Sequence, residues 1–169
     1  GKLIGICGGF QMLGRSVADP HGVEGMVGVA EALGLLDMHT ELKQEKRLTR
    51  VSGRCAFADA AVGGYEIHMG ESHSVNAGIP AFYIDDIDEK PEGLRSVDDQ
   101  VLGTYLHGIF DHPEACSALL RWAGLGNAVS VDVAQLREQS LDRIADAALP
   151  LYQALQKIEN SENHSKDAP

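Results

Sequence analysis

Lys2-Leu3-Ile4-Gly5-Ile6-Cys7-Gly8-Gly9-Phe10-Gln11-Met12-Leu13-Gly14 is the stretch that decides the fold. An apolar strand over Lys2 to Ile6 runs through Gly5, Cys7 and Gly9 into a helix pattern. That order of elements is a nucleophile elbow with cysteine at its tip. The flanking glycines let the backbone turn sharply and leave no Cβ to crowd a substrate. A helix beginning at Gly8 aims its first N–H groups at the sulfur, and its dipole favours thiolate over thiol. An elbow of this kind predicts an α/β protein built on an open three-layer sheet.

Working outward, the chain has 169 residues and begins with Gly1, almost on top of the elbow strand. A nucleophile strand normally has neighbours on both sides, so the sequence reads as the N-terminally truncated, C-terminal part of a longer α/β protein. A 44% apolar share suits an ordinary globular core. The net charge of -11 argues against nucleic acid and anionic membrane surfaces as partners. No apolar run approaches transmembrane length. Cys7, Cys55 and Cys116 are widely spaced with no CxxC, which gives neither a zinc site nor a disulfide framework and suggests a reducing, cytoplasmic setting.

Further along, Gly9 to Ser16 reads as a short helix with Phe10, Met12, Leu13 and Val17 as core contacts. Leu33 to Met38 is a strand candidate, and Glu41 to Arg47 a solvated charged connection. Gly63 to Gly70 alternates between glycines, as a strand does. Ala81 to Ile84 is short and apolar, Asp85 to Gly93 an acidic surface loop, and Val101 to His107 a strong strand. Asp111 with Pro113 and Glu114 predicts a capped helix start, and Asp132 with Gln135 predicts another. The second opens a long helix whose apolar stripe runs from Val133 to Ile158, with Pro150 expected to kink or break it. Glu159 to Pro169 is polar and reads as a frayed tail.

A lone cysteine is usually a packed one, but the G-x-C-x-G frame makes Cys7 a nucleophile; Cys55 and Cys116 lack such a frame and read as structural. A thiol needs a base. His107 ends a strand before Gly108, and the C-terminal edge of a parallel sheet is where sites form in open α/β folds. It is the candidate to take the Cys7 proton and return it to a leaving amine. The Gly8 N–H is placed for half an oxyanion hole, and Gln11, one helical turn beyond the nucleophile, can reach a polar substrate. Glu66 and His68 share one face of their strand and either support the pocket or bond nearby loops. His21, His39, His73, His112 and His164 have no such frame and read as surface or capping residues.

Gly5-Ile6-Cys7-Gly8-Gly9-Phe10-Gln11 resembles the nucleophile motif of class I glutamine amidotransferase domains. The longer run to Gly14 resembles the form found in the cobyric acid synthase (CobQ) family. So do Gly64-Tyr65-Glu66-Ile67-His68-Met69-Gly70 and the run from Leu102 to Asp111. Asp19-Pro20, Gly22 to Gly25, Gly34-Leu35-Leu36, Val51-Ser52-Gly53 and Leu141 to Asp146 fit as well. The resemblance implies that residues 1–158 are the C-terminal part of a glutamine amidotransferase domain, followed by a tail over 159–169 and preceded by an ATP-dependent synthetase domain absent from this chain.

It further implies that Cys7 attacks the side-chain amide of glutamine, His107 moves the proton, and water hydrolyses a γ-glutamyl thioester. The ammonia would then amidate peripheral carboxylates of cobyrinic acid a,c-diamide. ATP and Mg would belong to the synthetase domain, which would also hold the corrinoid, leaving glutamine as this chain's own partner and no cofactor or metal in it. Cobyrinic acid a,c-diamide synthase, a catalytically inert docking module and an unrelated cysteine hydrolase are the alternatives. One departure stands out: class I domains usually carry H-x-E, whereas Ile109 holds the acid's position here. The group that orients His107 is left open among Glu66, a carboxylate from another domain, and none.

Overall fold

The computed structural model describes residues 1–76, 78–85, 89–127 and 132–166, with 158–166 by backbone alone. The chain divides into two units, Gly1–Ser130 and Val131–Pro169. In the first, β1 (Leu3–Ile6) and α1 (Gly8–Leu13) are followed by β2 (Ser16–Asp19), β3 (Gly28–Glu31), β4 (Met38–Cys55) and β5 (Ala61–Ser74). Then come β6 (Ile79–Ile84), β7 (Lys90–Arg95), β8 (Val101–Thr104), β9 (Leu106–His107) and α2 (Pro113–Trp122). The second unit holds α3 (Val133–Lys166).

The strands form one mixed sheet in the order β1-β8-β7-β6-β4-β2-β3, with β5 paired to β4 and β9 to β5. Among the described residues β1/β8 and β2/β4 are parallel and the other pairs antiparallel. This mixed α/β architecture agrees with the class expected from the elbow.

The short strand β8 organises the core, because all of it is buried and its successive side chains go to different clusters. Val101 packs with Phe10, Leu13, Leu36, Met38 and Tyr105, the cluster containing residues of α1. Leu102 packs with Phe82, Leu106, Ile109 and the α2 residues Ala115, Ala118 and Leu119. Phe82, Leu102, Leu106 and Ile109 are all 0% exposed, and each such burial is worth ~1.5–3 kcal/mol. Gly103 is compulsory here: a Cβ would come within 2.1 Å of the Phe10 ring.

Several local expectations are corrected. Leu33 to Leu36 is loop, and Met12 is 59% exposed rather than a core contact. The charged Glu41 to Arg47 stretch is not a connection but part of β4. It carries a register shift between Leu42 and Arg47 where β4 and β5 run as a two-stranded ribbon, so water reaches charged side chains without breaking the ladder. The acidic loop ends early, since Lys90 to Gly93 belong to β7; residues 86–88 lie outside the described residues.

Val101 to His107 is two strands, interrupted at Tyr105. His107 therefore sits on a two-residue strand antiparallel to β5, not at the end of a parallel strand. His112, not Asp111, is the N-cap of α2, and the Glu114 carboxylate accepts the Ala61 N–H at 3.0 Å. Asp132 does cap α3, accepting the Gln135 N–H at 2.9 Å. That helix continues through Pro150, which removes one N–H and crowds one carbonyl without ending the element. Of its apolar stripe, Leu136, Leu141, Ile144 and Leu155 are all at least half exposed, and the Ile158 side chain lies outside those described.

Candidate active site

Cys7 is the hinge between β1 and α1. Its backbone has φ 54 and ψ -114, a conformation that costs a non-glycine residue ~1–3 kcal/mol and persists only when its surroundings enforce it. Two contacts do so. The Cys7 N–H donates to the Thr104 carbonyl at 2.9 Å, and the Cys7 carbonyl accepts from the Gln11 N–H at 3.2 Å. Gly5 permits the turn: a Cβ there would meet the Gly9 carbonyl oxygen at 2.7 Å and Leu13 Cδ1 at 2.6 Å. Gly8 and Gly9, by contrast, have open space where a Cβ would stand. The half-buried thiol donates to the Ile67 carbonyl on β5 at 3.3 Å.

His107 meets the same short stretch of β5. Its register partner is Tyr65, two residues before Ile67, and the Tyr65 ring lies parallel to the imidazole at 5.5 Å between centroids. His107 Nε2 is buried with no hydrogen-bond partner among the described residues. Cys7 and His107 thus come to β5 from two different strands, β1 and β9. Their backbones are linked through Thr104 and the two residues that follow it.

Gln11 reaches into the same region from α1. Its amide donates to the Tyr105 hydroxyl at 3.5 Å and lies over Gly70, where a Cβ would come within 2.3 Å of Nε2. Tyr105 continues the chain of polar contacts: its hydroxyl is 2.7 Å from Ser72 Oγ, which is 2.7 Å from Thr40 Oγ1. Gly8 is exposed at the start of α1.

Glu66 and His68 project from the face of β5 opposite Tyr65. The buried Glu66 pairs with Arg47 of β4. The His68 ring stacks on Tyr105 at 3.9 Å, and its Nδ1 lies 2.6 Å from the Gly70 carbonyl. A carbonyl only accepts, so Nδ1 carries the proton. Burial holds the His68 pKa below the usual histidine value, which favours that neutral tautomer. Glu66, His68, Gly70 and Tyr105 line a cleft of about 1140 Å³, together with Phe10 and Glu92, whereas Cys7, Gln11 and His107 are not among its lining residues.

Sequence reasoning missed Tyr65, Tyr105 and Glu92. The two tyrosines lie inside stretches that the sequence predicts as strands, but only the fold brings their rings onto His107 and His68. Glu92 gave no signal at all, because it sat in a stretch that read as acidic surface loop. It is 7% exposed, and its carboxylate accepts from Thr104 Oγ1 at 2.5 Å and from the Tyr105 N–H at 2.7 Å. Among the described residues no group of three His, Cys, Asp or Glu side chains is arranged to hold a metal ion. No described helix is long and apolar enough to cross a membrane.

With this geometry in view, residues 1–115 match the family of the CobB/CobQ-like glutamine amidotransferase domain. The match spans both Cys7 and His107 and covers more than half of the chain, so the chain belongs to this family. It is accordingly a glutamine-hydrolysing amidotransferase domain, with glutamine as substrate.

Proposed function

We propose that this CobB/CobQ-like glutamine amidotransferase hydrolyses glutamine through a thioester on Cys7 and supplies the ammonia for cobyric acid synthesis. The observation that carries the reading is the enforced φ of 54 at Cys7, with the sulfur held on the Ile67 carbonyl of β5, two residues along that strand from Tyr65, the register partner of His107. In this reading His107 Nε2 takes the thiol proton as the sulfur attacks the amide carbon of glutamine. The Gly8 N–H steadies the oxyanion. Collapse of the tetrahedral species breaks the C–N bond, and the proton passes from His107 to the leaving ammonia. Water, deprotonated by the same imidazole, then releases glutamate and regenerates the thiol. Gln11 binds the polar end of glutamine.

The ammonia is consumed where ATP and Mg activate a corrinoid carboxylate, in a synthetase domain outside these residues, and the enzyme works in the cytoplasm. Cobyric acid synthase is favoured over cobyrinic acid a,c-diamide synthase by the resemblance of the runs from Gly5 to Gly14 and Gly64 to Gly70. The test is an amidation assay of the full-length protein with glutamine as nitrogen donor, offering cobyrinic acid or its a,c-diamide as acceptor. The proposal expects turnover of the diamide. Turnover of cobyrinic acid alone would move the chain to the other branch, and absence of glutamine hydrolysis would make it a docking module.

A further inference from the structure

Thr104 occupies an unusual position between the two candidate catalytic residues. Its carbonyl accepts the Cys7 N–H at 2.9 Å, and three residues later the chain reaches His107. Between them the strand leaves β8, breaks at Tyr105 and restarts as β9 on β5. The break strands two backbone N–H groups inside the protein, those of Tyr105 and Leu106, and such donors need partners when buried. Leu106 N–H donates to Thr104 Oγ1 at 3.0 Å. Thr104 Oγ1 donates in turn to Glu92, and Tyr105 N–H donates to the other Glu92 oxygen.

Both N–H groups freed at the bend are thus satisfied by one carboxylate, Tyr105 directly and Leu106 through Thr104. Two donors converge on it, so the fit is to a group with two acceptor oxygens. An amide in its place can accept from only one of the two. The backbone is arranged for the approach: Gly93, at φ 66, lets β7 close on β8, where a Cβ would meet the Gly103 carbonyl at 2.4 Å.

We propose that Glu92 is a positioning residue of the glutaminase site, whose buried carboxylate sets the Thr104–Leu106 bend and thereby the placement of His107 relative to Cys7. This rests on the reading of Cys7 and His107 as nucleophile and base. Glu92 touches neither residue; it acts through the backbone that joins them. Displacing a base by about an ångström can cost ~10²-fold in rate while leaving substrate binding nearly intact.

The experiment compares Glu92→Gln, Thr104→Val and Thr104→Ser in the full-length protein, with Cys7→Ala as the control. Glutamine hydrolysis gives kcat and KM, and amidation driven by added ammonia reports whether the rest of the protein works. Glu92→Gln and Thr104→Val should each lower the glutaminase kcat by ~10–10²-fold with KM changed little and ammonia-driven amidation retained. Thr104→Ser, which keeps the hydroxyl, should restore most of the rate. The Glu92→Gln/Thr104→Val double variant should be no worse than the poorer single, as for two parts of one network.

If both single variants hydrolyse glutamine at the wild-type rate while Cys7→Ala is inactive, the role of Glu92 is wrong and the reading of the site survives. If Cys7→Ala still hydrolyses glutamine, the site itself is misread and the role of Glu92 falls with it. Should Glu92→Gln fail to fold, the Thr104→Val and Thr104→Ser pair decides the matter with the carboxylate in place. Equal rates for that pair would overturn the proposal.

Discussion

The ring of Tyr65 lies flat against the imidazole of His107, with centroids 5.5 Å apart and planes within 2° of parallel. The two residues are also register partners across β5 and β9, so backbone and side chain fix the imidazole together. Position 109, two residues beyond His107, is a fully buried isoleucine inside the core under α2. On the proposal that His107 is the base, the Tyr65 ring is the neighbour that orients it, since no carboxylate stands at position 109. Tyr65→Ala should lower the glutaminase kcat by ~10-fold or more, short of the ~10²–10⁴-fold expected for His107→Ala, whereas Tyr65→Phe should stay close to wild type. Steady-state kinetics on the three variants checks this, and equal losses for Phe and Ala at position 65 would point to the hydroxyl instead of the ring.

The cysteines should separate cleanly by reactivity. Cys55 is 2% exposed, and burial pushes its thiol up to about 11, so it is protonated at neutral pH and shielded as well. Limiting iodoacetamide at neutral pH should modify Cys7 and leave Cys55 untouched until the protein is unfolded, as read by peptide mass spectrometry. Labelling of Cys55 in the folded protein at the rate of Cys7 would contradict the packing around β4 and β6.

Glu92 makes stability depend on pH in a definite direction. Burial pushes its carboxyl up to about 7; the hydrogen bonds from Thr104 and Tyr105 and the charge of Lys90 oppose that shift, and the charge of Glu66 adds to it. The folded state then holds this proton more tightly than the unfolded state does. Its contribution is complete below about 4.5 and is lost as the pH rises from there to about 7. The size is on the order of 3 kcal/mol. Urea midpoints across that window should fall with rising pH in the wild type and fall less steeply in Glu92→Gln. Identical slopes would show that Glu92 titrates as an ordinary carboxyl.

How much of this was legible in the sequence follows from the range of the interactions involved. The elbow at Cys7 is local: a strand, a turn that Gly5 makes possible and a short helix lie within thirteen consecutive residues, Lys2 to Gly14. The break at Tyr105 is not local. It depends on acceptors offered by Glu92 from another strand, so Val101 to His107 looked like one uninterrupted run. Glu92 itself has an acidic neighbourhood in sequence but is buried in the fold, and the pairing of β7 with β6 and β8 places it there. The charged segment of β4 misled for the opposite reason, since a two-stranded ribbon tolerates polar side chains that a covered sheet would not.

The central claim is that Cys7 is the nucleophile of glutamine hydrolysis, and the most direct measurement is amidation by full-length Cys7→Ala with either glutamine or ammonia as nitrogen donor. The two half-reactions use different sites, and only the first needs the thiol. The variant should lose glutamine hydrolysis and glutamine-driven amidation, and keep amidation with added ammonia at close to the wild-type rate. Persistence of glutamine hydrolysis in Cys7→Ala would contradict the account, and loss of the ammonia-driven reaction as well would show that Cys7 serves the fold rather than the chemistry.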